Sequence, residues 1–445
     1  MNVRLHRTHL VAGGAALLLH AGCASTGQAP ERTSVAEALR TRTGAIDALP
    51  ESTKWTLPPG MSLDDGLSPA EAKAIGLWNN PDFQVALTAL GLARADLVEA
   101  GLIRNPVFSL LFPWGPKQLE WTVTWPVETF WQRPRKIEQA QLTARAVAER
   151  LVAHGLRLVS EISVAYIDVQ ASDRILVLAE EQSTLGRQIA GMAEARLRAG
   201  DISEFEAQLA RAEAARLEVA RITRTGSRDR AVARLRALLG LAPDAPPIRA
   251  DPFSSSPAGC GELPSLVKLT LAARPDLRAA ELDVEAAAAR AGVEKSRVVT
   301  VSAILDANAE GREGFEMGPG VAVELPIFSQ NDGGKARAAA ELQQASRRYL
   351  AVRAALVSTV ETALIQLTEA RESERVLRDQ TGPALSVGRQ QAERAYAAGE
   401  ISLLALLETR QRLLEADLAT LEASFATARA RARLEEAVGM KCEGM

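Results

Sequence analysis

Aromatic residues make up only 4% of this 445-residue chain, histidine occurs four times and cysteine three times. The cysteines and histidines are scattered, which excludes a zinc or thiol-redox motif. Three of the histidines (His6, His9 and His20) lie in the first 20 residues, and His154 falls inside a long helical stretch. No Ser/His/Asp set, metal-ligand spacing or phosphate loop stands in a plausible context. An enzyme is therefore not expected, nor is a cofactor or bound metal. A formal net charge of -3 supplies no strong field for nucleic acid. What the chain does have is alanine, leucine, arginine, glutamate and glutamine in abundance, a composition that favours long helices.

The first residues read as an export signal. Arg4 and Arg7 form its basic end, Leu10 to Leu19 its apolar run, and Ala21, Gly22 and Cys23 its close. The run is too short for a spanning helix, which needs about 20 residues. This pattern resembles a bacterial lipoprotein signal, in which residues 1–22 are removed and the cysteine, here Cys23, is lipidated (with palmitate among its acyl chains). His20 departs from the leucine that family prefers, and Leu19 sits one place early. An ordinary cleaved signal with an incidental cysteine is the other reading. Ala24 after the cysteine resembles the outer-membrane sorting signal. Residues 23–64 read as a tether from the anchor, with Pro58, Pro59 and Gly60 near its end.

The mature chain is an internal repeat. Asn80-Pro81-Asp82 opens a helical stretch in the first half, and Arg274-Pro275-Asp276 opens its counterpart in the second. Each passes through an extended segment that ends at Trp125-Pro126-Val127 or Leu325-Pro326-Ile327. Long helical segments follow, roughly 132–197 and 334–397. They end at nearly the same turn, Arg198-Ala199-Gly200-Asp201-Ile202-Ser203 and Ala397-Ala398-Gly399-Glu400-Ile401-Ser402. Returning helices run to about Gly240 and Gly439. The first repeat thus covers 65–240, a Pro- and Ser-rich connector 241–262, the second repeat 263–440 and a tail 441–445. A helix of roughly 64 residues reaches on the order of 96 Å. Leu151, Leu158, Ile162, Ala165 and Val169 form a stripe that needs partner helices, as in a coiled coil. Capping boxes are available from Ser203 with Glu206 or Asp201 with Glu204.

Four segments alternate with a period of two: about 107–112, 118–127, 298–309 and 315–327. Leu119, Trp121, Val123 and Trp125 oppose Glu120, Thr122 and Thr124. Val299, Val301, Ala303, Leu305 and Ala307 oppose Thr300, Ser302, Asp306 and Asn308, with Ile304 as the exception. Their length suits tilted transmembrane strands, and Trp114, Trp121, Trp125 and Trp131 suit an interfacial belt. An open sheet edge is not tolerated in lipid, and a barrel needs about eight strands. Four strands must therefore join those of other copies.

Duplicated helix–hairpin–helix halves of this kind resemble the TolC-type outer-membrane efflux family over about residues 65–440. The run Gly318 to Phe328 followed by Asn331-Asp332-Gly333-Gly334 resembles members that serve heavy-metal exporters. The resemblance implies an outer-membrane factor lipoprotein of a heavy-metal or multidrug RND system. The fold it implies is mainly α with β: a TolC-like protomer with long periplasmic coiled-coil helices, giving four strands to a shared 12-stranded trimeric barrel. It implies a homotrimer in the outer membrane, lipid-anchored and extending into the periplasm. Its partners would be a periplasmic adaptor (membrane fusion) protein and an inner-membrane pump. The function implied is passive conduction of pump-delivered substrates. A duct for type I protein secretion and a non-channel periplasmic coiled-coil lipoprotein are the alternatives.

Residue by residue, the resemblance makes the two turns adaptor-contacting tips: Arg198, Gly200, Asp201, Ile202 and Ser203, with Gly399, Glu400, Ile401 and Ser402. It places acidic residues a turn or two beyond each tip glycine at an aperture, here Glu206 and Glu408. As a helix cap and a solvated face residue, those two glutamates have a second reading. Cys260 and Cys442 end the two repeats, where the family has its equatorial region; a 260–442 disulfide and two separate thiols are both open.

Overall fold

The computed structural model describes residues 29–46, 48–50, 55–63, 66–114, 117–253, 260–310 and 314–441. Cys23, Cys442 and the signal at 1–22 lie outside them. The alternating segments form one antiparallel sheet of β1 (Val107–Leu111), β2 (Lys117–Pro126), β3 (Thr300–Glu310) and β4 (Gly314–Glu324), in that order across the sheet. The largest difference from expectation is in β4, which stops at Glu324 rather than running to 327. Glu324 is paired with Thr300, the first residue of β3, so β4 ends where its partner strand does.

Pairing of β2 with β3 joins the hairpins of the two repeats, and register sorts the side chains. Trp121, Ala307 and Met317 stand in one row and Val123, Leu305 and Pro319 in the next. Rows Glu120–Asn308–Glu316 and Thr122–Asp306–Gly318 belong to the other face, since directly opposed residues share a side. The Thr122 hydroxyl donates to Asp306 at 2.7 Å. Phe108, Leu110, Met317 and Val321 are exposed on the apolar face. An exposed apolar face between two edge strands, β1 and β4, is a surface made for lipid and for further strands.

Ten α-helices accompany the sheet among the described residues. They are α1 (Arg32–Thr43), α2 (Pro69–Asn79), α3 (Pro81–Gly101), α4 (Thr129–Ala199) and α5 (Glu204–Leu238), then α6 (Leu263–Ala273), α7 (Pro275–Ser296), α8 (Asp332–Val376), α9 (Gly382–Ala397) and α10 (Leu403–Val438). The sequence pattern predicts one long helical segment over roughly 334–397. Instead a π-helical turn at Leu377–Thr381 separates α8 from α9. Pro383 has no N–H and its ring crowds the carbonyl four residues back. One wider turn absorbs this, with the Gly382 N–H bonded to the Leu377 carbonyl, five residues back.

The chain divides into two compact units. The first contains the sheet, residues 87–150 and residues 276–352. An ion pair joins Arg150 to Asp283, and Arg290 meets Glu341 at 3.2 Å. Where the chain leaves β4 for α8, Asn331 adopts a left-handed φ of 58°. Its side-chain amide donates to the backbone and carboxylate oxygens of Glu294, both at 2.9 Å.

The second unit contains residues 32–86, 151–275 and 353–445. Leu39, Ile75, Leu77, Phe83 and Ile162 are fully buried there. A Cβ on Gly76 would stand 2.1 Å from Ile162 Cδ1, so a larger residue there would have to displace the buried Ile162 side chain between α2 and α4. Within the stretch read as a tether, α1 buries Val35, Ala36 and Leu39, and Leu39 fills the space beside Gly155. A second cluster gathers Leu266, Val360, Leu367, Leu434 and Val438 around Cys260. Cys260 is buried and disulfide-bonded; Cys442, its expected partner, lies outside the described residues.

Tyr166 ties the inter-repeat connector into this unit. Its hydroxyl donates to the Leu67 carbonyl at 2.6 Å and accepts from the Asp251 N–H at 2.9 Å. Burial pushes this hydroxyl up to about 12. An unfolded tyrosine titrates near about 10. The stabilisation is therefore complete below about pH 10 and is lost as pH rises through about 12. Thermal midpoints measured across that window should fall more steeply for the native protein than for Tyr166→Phe.

Candidate functional site

The candidate site is the pair of turns that reverse the long helices in the second unit. Gly200 has φ +78° and Gly399 φ +76°, a region other residues enter only with strain. A Cβ at either would meet nothing within 4 Å, so the glycine is there for its backbone rather than for space. The Gly200 N–H bonds to Leu197 at 3.0 Å and the Asp201 N–H to Arg196 at 2.9 Å. The Gly399 N–H bonds to Tyr396 at 3.1 Å and the Glu400 N–H to Ala395 at 2.8 Å. Both turns therefore close by the same Schellman pattern, which satisfies the last carbonyls of α4 and α9.

The helices that leave the turns are capped by equivalent serines. Ser203 Oγ accepts from the Glu206 N–H at 3.2 Å, and Glu206 Oε2 accepts from the Ser203 N–H at 2.9 Å. Of the two boxes open in the sequence, Ser203 with Glu206 forms. The Ser203 N–H and hydroxyl together hold the Glu206 carboxyl below the usual carboxylate range. Ser402 Oγ accepts from the Ala405 N–H at 3.2 Å, with alanine where the first turn has Glu206. Glu206 and Glu408 are thus not repeat-equivalent: relative to the two tip glycines, Glu408 lies three residues further along its helix. Glu408 is exposed, as are Asp201, Ser203 and Glu400, while Ile202 and Ile401 are half-buried.

A fixed offset of 199 residues relates the flanking ion pairs as well. Arg211 meets Glu194 at 2.9 Å in the first hairpin, and Arg410 meets Glu393 at 3.1 Å in the second. Both pairs join the outgoing helix to the returning one just behind the turn. The two hairpins also touch each other. Ile202, Tyr396 and Leu407 pack on the buried Ile189, Ala193 and Ala210. The Arg196 guanidinium donates to the Tyr396 hydroxyl at 3.1 Å and sits 4.9 Å from its ring centroid. Neither Arg196 nor Tyr396 stands out in the amino-acid sequence. The repeat offset could have revealed the two ion pairs, but no pattern along the chain says which side of one hairpin meets the other.

Comparison with known proteins adds the following. A family model described as outer membrane efflux protein matches residues 76–241 and 266–440. The cobalt-zinc-cadmium resistance protein CzcC of Cupriavidus metallidurans is 26% identical over 381 residues, which span 83% of this chain and 89% of that protein. Among solved structures, CusC superposes with a TM-score of 0.72 at 20% identity, over 88% of this chain and 97% of that one. VceC from Vibrio cholerae superposes with a TM-score of 0.69 at 19% identity, over 84% of this chain and 97% of that one.

Proposed function

This chain belongs to the outer membrane efflux protein family, and from that premise we propose that its trimer exports divalent transition-metal cations through a duct opened at the two helical turns. It is an outer-membrane channel of a tripartite efflux system, built as a TolC-like protomer that extends into the periplasm. Channels of this kind are homotrimers that work with adaptor proteins and inner-membrane pumps, and the family is one of transporters rather than enzymes.

The observation that carries the site reading is the repetition of one exposed turn, with its cap and its cross-hairpin ion pair, at an offset of 199 residues. Two copies per protomer give six near-equivalent turns in a trimer, a surface suited to a partner that binds by repetition. Arg198 to Ser203 and Gly399 to Ser402 would meet the adaptor, and Glu206 and Glu408 would face the aperture. Two features favour a cationic cargo: the likeness to a cobalt-zinc-cadmium resistance protein, and Glu120, Asp306 and Glu316 on the sheet face away from lipid. Cys23 would carry the lipid anchor, and a disulfide from Cys260 to Cys442 would close the second repeat onto the connector.

Single-channel recording of the purified trimer in planar bilayers tests the duct. Discrete steps are expected, with conductance or cation preference altered by Glu206→Ala and Glu408→Ala; a protein without steps in any state would sink the reading. The cargo is tested separately by restoring cobalt, zinc and cadmium tolerance in a strain that lacks its own channel. Intact mass of the mature chain reports the anchor, and Cys23→Ser should lose the added acyl mass.

A further inference from the structure

Beneath the sheet, the first unit holds a cleft of about 660 Å³. Arg104, Arg133, Lys136 and Arg297 line it, against only Asp96 and Glu99 among the acids. Arg297 is paired with Glu294 at 2.8 Å, and the other three cations still outnumber the two carboxylates that line the cleft. The crowding is felt by Lys136, whose ammonium is held below its usual range by burial and then by the charges of Arg104 and Arg297. An excess of cations around a roomy cleft is unfavourable until an anion enters it.

The position of the cleft identifies the anion. Trp125 stands on the apolar face of the sheet, in the row of Ala303 and Val321. Its indole N–H donates to the Arg104 carbonyl at 3.0 Å, and its ring meets Phe130 edge-on at 5.4 Å. Arg104, in the lining of the cleft, is thereby tied to a ring on the apolar face of the sheet, at the end of the strands where the helices begin. Trp131, also exposed, adds a third aromatic at that level. Aromatic residues at a strand end mark the boundary between hydrocarbon and headgroups. Cations just outside that boundary lie level with lipid phosphates, and guanidinium groups match phosphate oxygens two at a time.

We infer that this cleft binds the phosphate of an anionic glycerophospholipid from the periplasmic leaflet of the outer membrane, held by Arg104, Arg133, Lys136 and Arg297. The inference rests on the sheet spanning that membrane, as the channel reading requires. Such a site would fix the height of the barrel in the bilayer where its strands give way to helices.

Native mass spectrometry of the detergent-solubilised trimer provides the test, with titration by phosphatidylglycerol, phosphatidylcholine or glycerol phosphate. Phosphatidylglycerol should be retained about tenfold or more better than phosphatidylcholine. Arg104→Gln with Lys136→Gln should abolish that preference, while Arg224→Gln with Arg230→Gln, which removes equal charge elsewhere, should preserve it. Equal retention of both lipids would overturn the inference, as would a preference that survives in the Arg104/Lys136 variant. Glycerol phosphate binding as tightly as the lipid would also overturn it, marking a site for a soluble anion. Should the double variant fail to assemble, Arg104→Gln alone carries the test. A trimer that conducts but shows no lipid preference would defeat this inference and leave the channel standing; one that never inserts would remove both.

Discussion

Leu305→Arg is expected to remove the protein from the outer membrane, whereas Ile304→Arg, one residue earlier, is expected to leave it there. Leu305 lies midway along β3, on the apolar face between Val123 and Pro319. Arginine at a lipid-facing barrel position near the midplane costs roughly 2–4 kcal/mol. Three copies in one trimer bring the cost to roughly 6–12 kcal/mol, comparable with the whole stability of an ordinary domain. Ile304 faces the other way, opposite Thr124 and Gly320, where the side chains of neighbouring rows are Asp306 and Ser302. There a guanidinium meets water and carboxylates, so assembly should survive while cation preference falls. Trimer yield in membrane fractions separates the two variants. Equal yields would mean that the apolar face does not meet lipid, and the barrel reading would fail.

Severing the contact between Arg196 and Tyr396 should shift the channel towards its open state. This contact combines a charge-assisted hydrogen bond with a guanidinium held at the tyrosine ring, and it joins the two hairpins of the second unit at their ends. At an exposed site such a contact contributes on the order of 1–2 kcal/mol. Lost in one protomer, that changes a closed-to-open ratio by roughly 5- to 30-fold, and more when three protomers lose it together. Arg196→Ala combined with Tyr396→Phe should therefore raise mean conductance several-fold without changing trimer mass. Tyr396→Phe alone keeps the ring contact and should give a smaller rise. Unchanged conductance in the double variant would show that this contact does not hold the tips closed.

Much of the architecture was legible along the chain because it depends on local periodicity. Alternation placed all four strands to within a few residues, and the shared turn sequence placed both helix reversals and their positive-φ glycines. The misreadings were also local in origin. β4 ends with its partner β3, and Pro383 interrupts a helix, where a pattern of hydrophobicity, insensitive to a missing partner or a missing N–H, runs straight through. The helix α1 does not stand out along the chain because Val35, Ala36 and Leu39 form a short stripe; burial within the second unit holds it as a helix.

Local pattern along the chain was enough to specify a duplicated, exported, mostly helical protein with two hairpins of amphipathic strands and two matched turns. Periodicity, caps and turn glycines act over a few residues, and their energies are written in the order of the amino acids. Folding in three dimensions was needed to pair β2 with β3, to bring Arg196 to Tyr396, and to gather Arg104, Lys136 and Arg297 at one cleft. Those contacts join residues up to 200 positions apart, and long-range pairing is selected by the packing of whole faces, which no local pattern contains.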